Sequence, residues 1–407
     1  MIRHRSAHLT RRAFLGGAAA ATALAPALAR AQAGQLDGNT ATAMSLVETI
    51  EPILSFDTSN NLQRAIQNYE QFVAVNGSWE LPGRETFGLK LGDSRRAVAD
   101  LKRRLMINGD MPYDKRVSNE FDSGLDAAVR LFQARHGLIL NGQVDEPTFY
   151  ALSVPTQYRL NQLHLNAQRI QNWASALSDR YVVVNIPAAS IEAIEGAQVV
   201  QRHTAVVGKA DRATPLLNSK IHSVNFNPFW TVPKSIIQKD LIKYMNEDPE
   251  YLTKFRIRIL DGKGRELAPT EIDWSTEEAV QYTFRQDPGP DNSLGRCKID
   301  FYNKHAVYLH DTPQQSLFSE NARFYSSGCV RVGEVETLIA WLLRDNGWDL
   351  GKVMEGLTSG MRENVGLKVQ VPIHTTYITA WANRQGTVSF RDDVYQFDAQ
   401  GTVVFET

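Results

Sequence analysis

The chain is poor in cysteine and carries no excess of charge. Its 407 residues include two cysteines, Cys297 and Cys329, and 44 basic against 45 acidic side chains, a formal net charge of −1. That balance gives no reason to expect nucleic acid or an anionic surface as partner, so any affinity for a polymer has to come from local grooves. Beyond residue 33 no stretch approaches the roughly 18–20 apolar residues of a membrane span, and the mature form is not expected to cross a membrane. The nine histidines are scattered. His203, His222, His305 and His374 have no acidic or histidine partner at ligand spacing, so neither a metal nor another cofactor is expected. Asn76-Gly77 and Asn141-Gly142 read as turns rather than phosphate loops. Two cysteines in an oxidising compartment would by default form a bridge. Against that, Arg296-Cys297-Lys298-Ile299-Asp300-Phe301 alternates so that Cys297, Ile299 and Phe301 share a buried face, where a free cysteine behaves as a small hydrophobe.

The length suits two to three domains. Residues 1–33 read as an export signal. Thr10-Arg11-Arg12-Ala13-Phe14-Leu15 is a twin-arginine pattern, an alanine-rich apolar stretch follows to Leu28, and Ala27-Leu28-Ala29 and Ala31-Gln32-Ala33 offer cleavage sites. The stretch is too short and too rich in alanine for an uncleaved anchor, so the expected destination is the periplasm. Residues 34–88 open with a small, polar, flexible lead-in to about residue 50. An amphipathic helix over 61–75 follows, carried by Leu62, Ala65, Ile66, Tyr69 and Phe72 or Val73. Residues 89–155 hold three helix patterns: Val98, Leu101 and Leu105; Leu125, Val129 and Phe132; and a third opened by Pro147 with Asp145 as its cap. A connecting helix with one buried stripe spans 156–180 and leaves His164 on its solvated face.

From Tyr181 the period changes to two. Strands are expected at 181–186, 198–207, 220–226, 295–301 and 306–310, with further pieces at 377–381, 387–390 and 403–405. A helix pattern returns at Val335, Leu338, Ile339 and Leu342. Residues 234–285 interrupt the strands with two helix patterns and the turn Asp261-Gly262-Lys263-Gly264. The expected class is therefore α+β: a mostly-β, sandwich-like domain over 181–407 with a helical insertion, preceded by a small three-helix domain.

The chemistry concentrates in Tyr308-Leu309-His310-Asp311-Thr312-Pro313 and Ser326-Ser327-Gly328-Cys329-Val330-Arg331, which set one histidine 19 positions before a cysteine. A thiol is a useful nucleophile only as thiolate, and a free cysteine with a pKa of about 8.5 is mostly protonated at neutral pH. A histidine alongside can take that proton and later return it to a leaving amine. Gly328 permits a tight turn in which backbone N–H groups, at Ser327, Gly328 and Cys329, can face a developing oxyanion. The pair reads as a cysteine acyl-transfer site.

The stretch from His310 to Val332 resembles the signature of the L,D-transpeptidases: a histidine, a gap, then Ser/Thr-His-Gly-Cys, a hydrophobic residue and Arg or Asn. Ser327 stands where most members have a second histidine. The Ser-Ser-Gly-Cys wording, His310-Asp311-Thr312-Pro313, and the segments 225–233 and 285–295 resemble the large periplasmic branch, in which an insertion forms a lid over the site. Gly137-Leu138 and Asn141-Gly142-Gln143-Val144 before the third helix resemble a small peptidoglycan-binding module.

The resemblance implies Cys329 as nucleophile and His310 as base and then acid. It also implies peptidoglycan stem peptides as partners, a donor tetrapeptide and an acceptor amine, with carbapenems as inhibitors. The expected reaction forms 3→3 cross-links with release of D-alanine. Hydrolysis of the same bond by an L,D-carboxypeptidase is the alternative, and a non-catalytic peptidoglycan-binding protein is another. Four further residues stay open. Asp311 orients His310 through its carbonyl or its carboxylate, or only begins a turn. Tyr308 donates to substrate or oxyanion, or is packed. Arg331 fixes a stem carboxylate or braces its loop. Trp230 walls the donor groove or belongs to the core.

Overall fold

The computed structural model describes residues 37–174 and 177–401. The expected export signal and the strand-like piece at 403–405 lie outside the described residues. The N-terminal part is helical, with α1 (Gly38–Val47), α2 (Phe56–Asn76), α3 (Arg96–Asn108), α4 (Ser123–His136), α5 (Glu146–Leu152) and α6 (Thr156–Ala174). The flexible lead-in expected at 34–50 is corrected by α1. Asp37 caps that helix by accepting from the Thr40 N–H at 2.9 Å. Asn39 then donates to Asp126 of α4 at 2.8 Å, and Arg130 donates to the Thr40 hydroxyl at 3.0 Å. A cap and a tertiary surface override weak local propensity. Likewise α2 begins ahead of 61, because the Ser55 hydroxyl accepts from the Thr58 N–H at 3.1 Å.

Helices α3 to α5 enclose Leu89, Val98, Leu101, Leu105, Leu125, Val129 and Phe132. Each such side chain, fully buried, contributes about 1.5–3 kcal/mol. Asp145 caps α5 through the Thr148 N–H at 3.0 Å. Asn141 donates to Asp145 at 2.8 Å and accepts from Gln133 at 2.7 Å, a structural role for that turn.

The β part begins with β1 (Arg180–Asn185), β2 (Ser190–Glu195), β3 (Gln198–Gly208) and β4 (Leu217–Phe226). Strand β2 has no counterpart in the sequence reading. Its hairpin to β3 turns on Gly196 (φ +57°) and Ala197 (φ +61°), a positive-φ pair written without the usual asparagine signal.

An insertion follows: β5 (Trp230–Thr231), α7 (Lys234–Ile236), a π-helical turn (Ile237–Leu241), α8 (Ile242–Glu247), α9 (Tyr251–Lys254), β6 (Ile257–Leu260), β7 (Glu266–Leu267) and β8 (Thr283–Gln286). Sequence periodicity shows only its helices. The structure adds a four-stranded sheet in the order β5-β8-β6-β7. The expected turn at 261–264 joins β6 to β7, and the insertion holds a core of its own around Leu241, Met245, Leu252, Ile259 and Phe284.

The chain then returns through β9 (Cys297–Phe301), β10 (Leu309–His310), β11 (Phe324–Ser326), β12 (Val330–Val332), α10 (Val335–Leu343), α11 (Leu350–Thr358), β13 (Glu363–Thr376), β14 (Ala380–Ala382) and β15 (Val388–Phe390). The main sheet has nine strands in the order β11-β3-β12-β10-β9-β4-β13-β1-β2. Strand β3 pairs with β2 over its first half and with β12 and β11 over its second, so the sheet closes on itself as a sandwich-like shell. Inside lie Val184, Ile221, Val224, Cys297, Ile299, Leu309 and Val330, covered by Leu338, Ile339 and Leu342 of α10.

The strand expected at 306–310 shortens to β10. Ala306 takes φ +54°, and Asn303 folds the preceding loop by accepting from the N–H groups of His305 and Val307 at 3.0 Å each. The β14–β15 hairpin carries the helical unit: Phe390 stacks on His136 with centroids 5.7 Å apart, and Arg135 donates to the Val388 carbonyl at 3.2 Å. Among the described residues no helix is long and apolar enough to cross a membrane.

Candidate active site

Strands β10 and β12 are parallel neighbours, with Leu309 beside Val330 and His310 beside Arg331. The Val330 N–H donates to the Tyr308 carbonyl at 3.1 Å. Cys329, one residue before β12, therefore sits beside Tyr308, one residue before β10. The Tyr308 and His310 rings meet edge to face with centroids 5.7 Å apart. They share a side as expected, although only His310 is in a strand. Both cysteines are free thiols, Cys297 in the core and Cys329 half-buried.

Side chains build the turn that presents the thiol. The Ser326 hydroxyl accepts from the Gly328 N–H at 3.2 Å and donates to the Cys329 carbonyl. Thr214 donates to the Gly328 carbonyl and accepts from the Gly208 N–H, each at 2.9 Å. Gly328 has φ +114°, while a Cβ there would meet nothing closer than 3.6 Å. The backbone angle, rather than space, requires glycine. Its N–H, expected to face an oxyanion, is engaged by Ser326 in this arrangement.

Burial pushes the Cys329 thiol above its ordinary range, and the Tyr308 N–H and hydroxyl, Lys298 and Arg331 pull it back. Burial pushes the Tyr308 phenol well above its ordinary range, with the Cys329 thiol raising it further and the Trp230 indole opposing. Trp230 thus reaches the site instead of only filling core. Lys298, which no motif marks, lies with its ammonium 4.4 Å from the Tyr308 ring centroid.

His310 is buried, and its Nδ1 lies 2.5 Å from the Asp311 carbonyl oxygen. Burial pushes its pKa down to about 3, helped by Arg331 and Lys298 and opposed by that carbonyl. The ring is neutral at physiological pH. Nδ1 carries the proton toward the carbonyl, which leaves Nε2 as the basic atom. Of the two groups of Asp311, it is the carbonyl that meets His310. The carboxylate accepts instead from the Arg296 N–H at 2.9 Å and Gln315 at 3.2 Å. Gly295 makes room for it, since a Cβ there would lie 2.5 Å from that carboxylate.

Arg331 donates to Gln314 at 2.7 Å, a bracing contact. Ser327 is exposed, and its hydroxyl accepts from Arg212 at 3.0 Å. Arg212 also pairs with Asp240 of the insertion at 2.8 Å, tying that element to the nucleophile turn. Neither Arg212 nor Arg296 carries a sequence signal, because each partner is far away along the chain.

A thiol near neutral imidazole, phenol and two cations can form thiolate on demand and acylate reversibly. Tyr308→Phe keeps the ring and removes one hydrogen bond to the thiolate, worth about 1.5–3 kcal/mol. Alkylation of Cys329 by iodoacetamide, followed against pH, should have its midpoint raised by about a unit or more. An unmoved midpoint would show that the hydroxyl does not act on the sulfur.

Residues 179–371, which include His310 and Cys329, match the family model described as the L,D-transpeptidase catalytic domain. The chain carries an L,D-transpeptidase catalytic domain. Residues 94–152, spanning α3 to α5, match a second model, "Putative peptidoglycan binding domain". A Haemophilus influenzae protein described as "Putative L,D-transpeptidase" is 33% identical over 253 residues, 61% of this chain and 50% of its own length. The chain thus spans about half the length of that curated relative. Among solved structures, an L,D-transpeptidase from Xylanimonas cellulosilytica is similar at 14% identity, covering 73% of this chain and 100% of its own, with a TM-score of 0.23. One from Mycobacterium smegmatis is similar at 15% identity, covering 49% and 58%, with a TM-score of 0.25. The sequence matches thus place an L,D-transpeptidase catalytic domain at residues 179–371 and a peptidoglycan-binding-like unit at residues 94–152.

Proposed function

We propose that the protein is a peptidoglycan L,D-transpeptidase forming 3→3 cross-links, with Cys329 as nucleophile and His310 as general base and then acid. The observation that carries this reading is the buried, neutral His310, held in one tautomer by the Asp311 carbonyl on the strand beside the Cys329 turn. The resting pair is thiol and imidazole. As the sulfur attacks the third-residue carbonyl of a tetrapeptide stem, its proton passes to Nε2, and the Asp311 carbonyl steadies the imidazolium. The carbon–nitrogen bond to D-alanine breaks, and the imidazolium returns the proton to the leaving amine. An amine of a second stem then attacks the thioester, gives up a proton through the same imidazole, and restores the thiol.

Tyr308 and the backbone around Cys329 supply hydrogen bonds to the oxyanion, and one such donor is worth roughly 2.7–4 kcal/mol of barrier. In the same reading residues 1–33 direct export to the periplasm, residues 89–155 hold the polymer, and the insertion, 234–285 by sequence, covers the bound stem. Support for the cover comes from Arg212, which joins Asp240 to Ser327.

Mass spectrometry of the exported form incubated with disaccharide-tetrapeptide tests the product. A 3→3 dimer with release of D-alanine is expected. Tripeptide monomer alone would replace the reading with an L,D-carboxypeptidase. No product with a titratable free thiol would leave a binding protein.

A further inference from the structure

A cavity of about 480 Å³ opens between the insertion and the main sheet, and Lys298 forms part of its wall. That volume falls within the range of small-molecule sites. Lys298 also touches Tyr308, so the cavity begins one side chain away from the thiol. Its distinguishing feature is an arginine pair. The guanidiniums of Arg285, from β8, and Arg362, just before β13, lie 4.6 and 4.2 Å from the centroid of the Phe229 ring. The aromatic ring holds both planes in place without neutralising them.

Other charges here are already matched. Lys298 pairs with Asp300 at 2.7 Å, and Asn225 donates to the same carboxylate at 2.6 Å. Arg258, the third guanidinium near Phe229, is bonded to Asp287 at 2.5 Å. Glu363 lies exposed at the rim. Among the described residues Arg285 and Arg362 have no ion-pair or hydrogen-bond partner for their side chains, and the Arg285 Nε is buried without one. Unpaired, oriented guanidiniums in a concave site select planar anions, because the fork of N–H groups matches a carboxylate.

We propose that this cavity is a carboxylate subsite, in which Arg285 and Arg362 hold a free carboxylate of the peptide substrate while its scissile carbonyl lies at Cys329. The inference rests on the transpeptidase reading for the identity of the peptide, and deepens it by naming the group that fixes the peptide's register. Binding across both elements would also require the insertion to be seated on the sheet, so recognition and coverage of the site occur together.

The test measures binding, independent of turnover. The Cys329→Ala full chain is titrated with the disaccharide-tetrapeptide and with the same compound amidated at its free carboxylates, in the presence and absence of Arg285→Gln/Arg362→Gln. Amidation and the double substitution should each weaken binding by roughly 10- to 100-fold, the scale of charge-assisted hydrogen bonds. The two together should cost little more than either alone, because they remove the same contact. Equal Kd values for free and amidated peptide, losses that simply multiply, or no binding of either peptide would overturn the subsite. Failure of the transpeptidase reading would appear separately, as absence of product from the unsubstituted enzyme. Iodoacetamide should label Cys329 in the Arg285→Gln/Arg362→Gln protein at the unsubstituted rate, which establishes that its fold and thiol are intact.

Discussion

Cys329→Ala is expected to abolish covalent chemistry altogether. A carbapenem should add one acyl group to the unsubstituted protein and none to the variant, and turnover of tetrapeptide should fall by at least about 10⁴-fold, as for loss of a nucleophile elsewhere. The remaining thiol cannot substitute. Cys297 is fully buried in the shell, and burial pushes its pKa well above the ordinary range. Peptide mapping after acylation checks both halves of the expectation. An adduct on Cys297, or on the Cys329→Ala protein, would move the chemistry away from the turn. Unlike an enzyme that stores a thiolate–imidazolium pair, this one should also react with iodoacetamide faster as the pH rises through 7 to 9, because the thiol is raised and the imidazole is neutral.

His310→Ala should cost about 10²–10⁴-fold in kcat/KM, the usual scale of general acid–base catalysis. The pH profile carries more information than the magnitude. With His310 pushed down to about 3, an unsubstituted enzyme should show no loss of base near pH 6.5, where an ordinary histidine would titrate. A half-maximal rate near pH 6–7 on the acid side, absent in His310→Ala, would mean that the ring is far more solvated than this geometry implies.

Stability bounds the measurable window. His203 and His374 are also held down, to about 4 each, mainly by burial. A histidine whose folded pKa lies below its unfolded value is held neutral, so its stabilising effect is complete above about pH 6.5. It is lost as the pH falls from there toward 4, because the unfolded chain binds the extra proton. Circular dichroism at each pH separates unfolding from titration of the site.

How much of this was legible in sequence depends on the range of the interaction. The placing of His310 on the strand beside the Cys329 turn, the cap at Asp145 and the buried face of Cys297 follow from local wording, and the family match falls on the same stretch. Helix α1 escaped because its stability comes from Asp126 and Arg130, about ninety positions away. Strand β2 escaped because its turn lacks asparagine, and β6 because its two isoleucines alternate with arginines beside a helix pattern. At the site, the choice between the carbonyl and the carboxylate of Asp311 depended on Arg296 and Gly295, which occupy the carboxylate from another loop. The arginine pair on Phe229 has no linear signature at all, since β9 to β12 lie between its members.

Parallel pairing of β10 with β12 has a consequence for how such a protein can change. The hydrogen-bonded ladder, with Asp311 at one end and the Ser326–Gly328 turn at the other, sets the positions of imidazole and sulfur, and the middle of the excursion between them, residues 316–323, sets neither. Residues can be gained or lost in that excursion without shifting one reactive group against the other. The segment is therefore free to diversify in length while the reaction it encloses stays the same.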